Sequence, residues 1–250
     1  MITPPSLNFS SPNFNDRPGG LVVKYLILHY TGMATGQAAV ERLCDPTSGV
    51  SAHYVIEENG QIFSLVPEDK RAWHAGVSSW ENDTDINGLS IGIELVNPGH
   101  DSPGYTGDYR PFPEAQMTAL IELCRGVIAR HPIQPCHILG HSDVAPVRKC
   151  DPGELLDWAR LSACAIGLWP SPLPSQKTAS YAGKIDDVAQ FQKKLADYGY
   201  NIDITGHLDQ QTGTVIRAFQ RHFRPTLING IMDMECAALL DNLLNEKQGY

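Results

Sequence analysis

The sequence predicts an α/β (α+β) protein: a mixed central β-sheet flanked by helices, followed by a small three-helix domain. Three observations carry this expectation. Two apolar runs without alternation, LVVKYLIL at 21–28 and SIGIELV at 90–96, suit strands buried on both faces. Asn59-Gly60 divides VSAHYVIEENGQIFSLV into the two arms of a hairpin, so at least one strand pair is antiparallel. Beyond a proline-rich stretch, the apolar spacing becomes purely helical.

The elements follow in chain order. Residues 1–20 are polar and rich in Pro, Asn and Ser, and read as a loose arm. They carry neither the basic start nor the apolar centre of a secretory leader. The first buried strand ends at His29, and QAAVERLC (37–44) reads as a short helix. The hairpin occupies 50–66 and the second buried strand 90–96. Pro113 opens a longer helix in which Met117, Leu120, Cys124, Val127 and Ile128 recur at helical spacing. CHILG (136–140) reads as a short strand, and 153–166 as the last helix of a domain spanning 21–167. At 168–183, Pro170, Pro172 and Pro174 stiffen a linker. The domain at 184–250 holds helices near 185–198, 209–223 and 234–245, with Gly199 as a C-terminal cap.

Composition narrows the function classes. With 250 residues, 42% hydrophobic and 19% charged, the chain is an ordinary globular sequence that can bury a sizeable core. Lys+Arg total 19 against 28 Asp+Glu, a net charge of −9, which argues against binding nucleic acid through phosphate neutralisation. No run approaches the ~20 apolar residues of a membrane span. The six cysteines form no C-x-x-C pair and read as inert thiols. Together with the missing leader, they point to the cytoplasm. The signatures H-E-x-x-H, G-x-S-x-G and G-x-x-x-x-G-K-[ST] are all absent.

Five polar residues stand where a plain core would not put them. His29 closes an apolar strand, where a satisfied rim histidine is the simpler alternative to a functional one. Glu94 lies inside SIGIELV; it is either on an exposed strand face or a buried carboxylate suited to general-base work. His141, Lys149 and Asp151 come from GHSDVAPVRKCDPG, in which Lys149 and Asp151 alone could be a solvated loop.

Taken together, YLILHYT, SAHYVI, RAWHAG, GLSIGIELVN and GHSDVAPVRKCDPG resemble the type 2 N-acetylmuramoyl-L-alanine amidases, nearest to their AmpD/AmiD branch, over about residues 20–170. The segment FQKKLADYGYNIDITGHLDQQTGTVIRAFQRHFRP resembles the peptidoglycan-binding helical module of AmiD-like proteins. The resemblance implies one Zn²⁺ per chain, held by His29, His141 and Asp151 with a fourth position left for water. It implies Glu94 as the proton-transferring carboxylate and Lys149 as the cation facing the tetrahedral oxyanion. Tyr30, Trp73, His74 and Asn97 are expected near substrate, although Trp73 could equally pack in the core. Asp143 is expected to hold a ligand imidazole from behind, with a turn cap as the alternative, and His53, which matches a histidine of the related pattern, is expected behind the ligands with its role open between structural and catalytic. Some relatives place a Tyr just before the position of His53; Ala52 stands there, so Glu94 must serve. His100, His131, His137, His207 and His222 read as surface or cap residues.

The implied reaction cuts the amide between N-acetylmuramic acid, or its anhydro form, and L-alanine of the stem peptide, in wall degradation or recycling. The other reading is a non-catalytic peptidoglycan recognition protein, a class that lacks one or more of the metal ligands present here. Peptidoglycan or a muropeptide is the expected partner of a monomeric chain. Its appended module suits a cell-wall or periplasmic setting as the alternative to the cytoplasm.

Overall fold

A computed structural model describes residues 9–19, 21–100, 102, 105–171 and 187–250. Residues 1–8 of the expected arm and most of the expected linker lie outside the described residues.

The main sheet has five strands in the order β4-β3-β6-β2-β7: β2 (Tyr25–Tyr30), β3 (Tyr54–Ile56), β4 (Ile62–Ser64), β6 (Ser90–Leu95) and β7 (Ile138–Gly140). β2 runs parallel to β6 and β7, β3 runs parallel to β6, and the β3–β4 hairpin is antiparallel. The sheet is therefore mixed, with β2 and β6 at its centre. Alternation along those two strands gives each sheet face its own role. Leu26, Leu28, Ile91, Ile93 and Leu95 point to one face, where they pack on α3 (Glu114–Arg130) and α5 (Trp158–Ala163). Tyr25 and Ile27 point to the other face and join a second core. A third cluster seats α1 (Gly36–Cys44) on Val55, Leu65 and Val96.

Two sequence expectations change at the ends of this region. The arm is not loose where it is described: Phe14–Asp16 forms β1, antiparallel to β5 (Lys70–Ala72). Side chains pin it. Asn13 donates to the carbonyls of Asp45 and Val50, and the Arg17 guanidinium donates to the carbonyls of Glu68, Asn87, Gly88 and Ser90. The helix expected over 153–166 is shorter, because a turn through Gly153 (φ +81°) precedes it and Asp157 caps it at Trp158.

The C-terminal helices are α6 (Val188–Tyr198), α7 (Gln210–Phe223) and α8 (Met234–Lys247), capped by Asp187, Asp209 and Asp233. Their apolar faces do not close on each other alone. Phe191, Leu195, Tyr198, Phe219 and Leu240 share one continuous core with Tyr25, Ile27, Trp80, Ile86, Leu139 and Val144. Trp80 is the hinge of this contact, edge-on to Tyr198 (5.8 Å) and Tyr200 (4.8 Å). Gly199 is required there, since its φ is +142° and a Cβ would lie 2.4 Å from the Trp80 ring. The helices thus cover the lower part of one sheet face, and the upper part stays open.

Candidate active site

That open part lies at the C-terminal end of β2. Parallel register sets His29 beside Glu94, and Ile27 beside Gly92. His29 and Glu94 therefore project from neighbouring strands on the same face. Two more elements close the site from above: α4 (His141–Val144), which follows β7 directly, and the turn through Asp151. The Ser142 N–H donates to the Asp151 carbonyl (2.8 Å), tying the two together.

Three ligand atoms meet here. His29 Nδ1 lies 3.0 Å from His141 Nδ1 and 2.9 Å from Asp151 Oδ2, and His141 Nδ1 lies 3.0 Å from the same oxygen. All three residues are buried. The partners of the far ring nitrogens fix the tautomers. His141 Nε2 faces the Ala75 carbonyl (3.0 Å), which can only accept, so Nε2 carries the proton and Nδ1 the lone pair. His29 is fixed by a longer chain. The Ser90 hydroxyl donates to the Ile86 carbonyl (2.6 Å), so its oxygen accepts from His74 Nε2 (3.0 Å). His74 Nδ1 then accepts from His29 Nε2 (3.0 Å), and His29 Nδ1 is left with its lone pair.

Burial and the neighbouring His141 lower the His29 pKa to about 4, so the ring is neutral at pH 7. The close approach of His29 Nδ1 to Asp151 Oδ2 is therefore not an ion pair. Two imidazole lone pairs and one carboxylate converging this closely repel one another unless a cation stands among them. A tetrahedral Zn²⁺ with ligands at ~2.0–2.1 Å needs donor atoms roughly 3.3 Å apart, so the set fits that ion.

Glu94 is half-buried at the cleft, and desolvation followed by the Asp151 charge pushes its carboxyl well above the usual range. Its Oε2 is buried and has no hydrogen-bond partner among the described residues. A cation held by the three ligands would oppose this upward shift and favour the charged carboxylate. Lys149 is exposed. Lys149, Glu94, Tyr30 and Trp73 line a cleft of about 290 Å³ above the three ligands. The Tyr30 hydroxyl sits 3.0 Å from both His100 Nδ1 and Cys150 Sγ at the rim, and Trp73 Nε1 donates to Asn15.

Several expected residues have other work. His74 borders the cleft, but it is buried and both its ring nitrogens are committed to the His29–Ser90 chain, through which it orients His29. Gly92 makes room for it. Asn97 is fully buried: its side chain donates to the Arg110 carbonyl and accepts from Gly99 N–H, bracing the loop after β6. His53 accepts from Gly92 N–H and packs edge-on to His74, one ring removed from the ligands. Asp143 touches no ligand imidazole; its carboxylate accepts from Gly140 N–H, Tyr200 Oη and His222 Nδ1. His137 and His222 are buried rather than at the surface, and His131 is bonded to Glu68. Cys150 is half-buried at the rim: burial opposes ionisation, but His100 and Tyr30 hold its thiol below the ordinary value. The roles of His74 and Ser90 were missed by sequence reasoning, since nothing in their local spacing marks a relay.

Residues 19–154 match the family described as N-acetylmuramoyl-L-alanine amidase. The chain belongs to that family. Residues 184–240 match a putative peptidoglycan binding domain. The chain is 41% identical over 241 residues to N-acetylmuramoyl-L-alanine amidase AmiD of Escherichia coli, covering 91% of this chain and 84% of AmiD. It is 36% identical over 170 residues to the 1,6-anhydro-N-acetylmuramyl-L-alanine amidase AmpD of Citrobacter freundii, covering 61% of this chain and 86% of AmpD. Among solved structures, E. coli AmiD with anhydro-N-acetylmuramic acid-L-Ala-D-gamma-Glu-L-Lys aligns with a TM-score of 0.78 at 38% identity, over 93% of both chains. AmpDH3 from Pseudomonas aeruginosa aligns with a TM-score of 0.79 at 34% identity over 100% of both. The family's activity, N-acetylmuramoyl-L-alanine amidase, is the activity of this chain, and its fold is the family's mixed sheet flanked by helices. Among the described residues, no helix is long and apolar enough to cross a membrane.

Proposed function

We propose that the amidase reaction of this chain is zinc-dependent and that its substrates are anhydromuramyl peptides and the peptidoglycan they derive from. The reading rests above all on the meeting of His29 Nδ1, His141 Nδ1 and Asp151 Oδ2, with Glu94 in register beside His29. When bound there, Zn²⁺ supplies Lewis acidity, polarising a carbonyl and acidifying water. The chain's own groups do the rest. The Glu94 carboxylate takes the proton from water as it attacks the lactyl carbonyl, and returns it to the nitrogen of L-alanine as the C–N bond breaks. The Lys149 ammonium, on the cleft wall, faces the oxyanion that forms in between. Trp73 and Tyr30 offer aromatic faces to the sugar and the peptide. The substrate class is supported by the anhydromuramyl peptides bound to AmiD and AmpDH3.

A digest of purified cell wall and of anhydromuramyl peptides, with and without chelator, tests this. New L-alanine amino termini are expected from one or both substrates and are expected to vanish on chelation. Release from neither refutes the amidase; release that survives complete metal removal refutes the metal-dependent mechanism while leaving the cleavage.

A further inference from the structure

The buried Asp143 links the metal site to the C-terminal helices. It stands two residues after His141 on α4, a helix of only four residues that cannot hold its own direction. Its carboxylate accepts three hydrogen bonds. One comes from its own turn, Gly140 N–H at 2.8 Å. The other two cross to the C-terminal part: Tyr200 Oη at 2.8 Å and His222 Nδ1 at 2.7 Å. The His222 ring is itself fixed, stacked on Trp158 with centroids 3.8 Å apart, and Tyr200 leans on Trp80 at 4.8 Å. Asp143 and His222 are both buried, so water does not compete for these bonds.

We propose that Tyr200 and His222 are positioning residues of the metal site: acting through Asp143, they hold α4 at the angle that brings His141 Nδ1 to His29 and Asp151. This rests on the metal role proposed above for His141. It gives the peptidoglycan-binding-like part a second task, completing the ligand geometry of the catalytic part. Loss of Tyr200 Oη strips Oδ1 of its hydrogen bond and loss of His222 leaves Oδ2 with Gly140 N–H alone, and α4 relaxes to compensate.

The test uses the full chain and four variants. Zinc affinity is read by competition with a chromogenic chelator, ligand geometry by the visible absorption of the cobalt(II)-loaded protein, and stability by thermal unfolding of the metal-free protein. Tyr200→Phe and His222→Leu are expected to weaken zinc binding about tenfold, as loss of groups that orient metal ligands does, and to shift the cobalt bands. His222→Asn keeps an N–H donor at the Nδ1 position and is expected to restore both. Lys247→Met removes another cross-contact, Lys247 Nζ to Glu81 at 2.9 Å, without touching Asp143, and is expected to leave zinc affinity unchanged. Unchanged affinity and spectra in Tyr200→Phe and His222→Leu, with only a lower unfolding temperature, would reduce the two residues to interface packing and overturn the inference. Should His222→Leu fail to fold, the milder Tyr200→Phe decides alone. A parent chain that binds neither zinc nor cobalt refutes the metal reading as well; tight binding with indifferent variants refutes only the positioning role.

Discussion

Gly92→Ala is the sharpest probe of the site, because it adds one methyl group at a position whose backbone is ordinary β-strand. Alanine adopts that backbone without strain, so the whole effect comes from the collision. The new Cβ would lie 2.5–2.7 Å from three atoms of the His74 ring. Ordinary carbon contacts begin near ~3.5 Å, so the ring must retreat by roughly 1 Å. It cannot do so freely, since Nδ1 is bonded to His29 and Nε2 to Ser90. The strain of such overpacking costs about 1–3 kcal/mol. Releasing His29 from its orienting partner should weaken zinc binding by about 10–100-fold, and a 1 Å displacement of a catalytic group costs on the order of 10²-fold in rate. Zinc affinity, turnover of an anhydromuramyl peptide and the unfolding midpoint would be measured side by side. Affinity and turnover both within threefold of the parent would show that the His29–His74–Ser90 chain does not set the metal site.

Glu94→Gln keeps the volume and removes the proton acceptor, so zinc should stay bound while kcat falls by about 10²–10⁴-fold; isothermal titration and a turnover assay separate the two. Lys149→Met should lower kcat by about 10²-fold with little change in zinc affinity, the pattern of a lost oxyanion partner, read in the same assays. Glu68 gives the pH dependence. Burial opposes its charge, but hydrogen bonds from His131, Arg130 and Tyr54 outweigh this and hold its pKa at about 2, below the ordinary 4.5. Its contribution is therefore complete above pH 4.5 and is lost as the pH falls towards 2, on the order of 2 kcal/mol after solvent screening. Glu68→Gln should flatten that part of the acid unfolding curve, followed by circular dichroism.

What the sequence made legible follows from how local each signal is. The runs around Ile27 and Ile93 are buried on both faces, so they read as strands without knowledge of their partners. Asn59-Gly60 marks the β3–β4 turn for the same reason. β1 is different: Phe14–Asp16 has no strand signal of its own and is held by Arg17 and Asn13 reaching carbonyls some 32–73 positions away. The metal-ligand candidates were named through resemblance to a family, whereas their register was not readable. Only β2–β6 pairing reveals that His29 and Glu94 stand side by side. His74 and Asn97 turn inward to bonds of their own, which an abundance of polar residues near a motif does not reveal. His222 was missed as a buried residue because its partner Asp143 is 79 positions away.

The shared core around Trp80 has a consequence for how such proteins can be recombined. A helical segment that completes its neighbour's interior is not a detachable handle. Cutting it away would strand Tyr25, Ile27 and Leu139 in water, and grafting a foreign segment would demand a residue without a side chain opposite the indole. The two parts should therefore melt in a single calorimetric transition rather than in sequence, and chimaeras should succeed only when the seam travels with the segment.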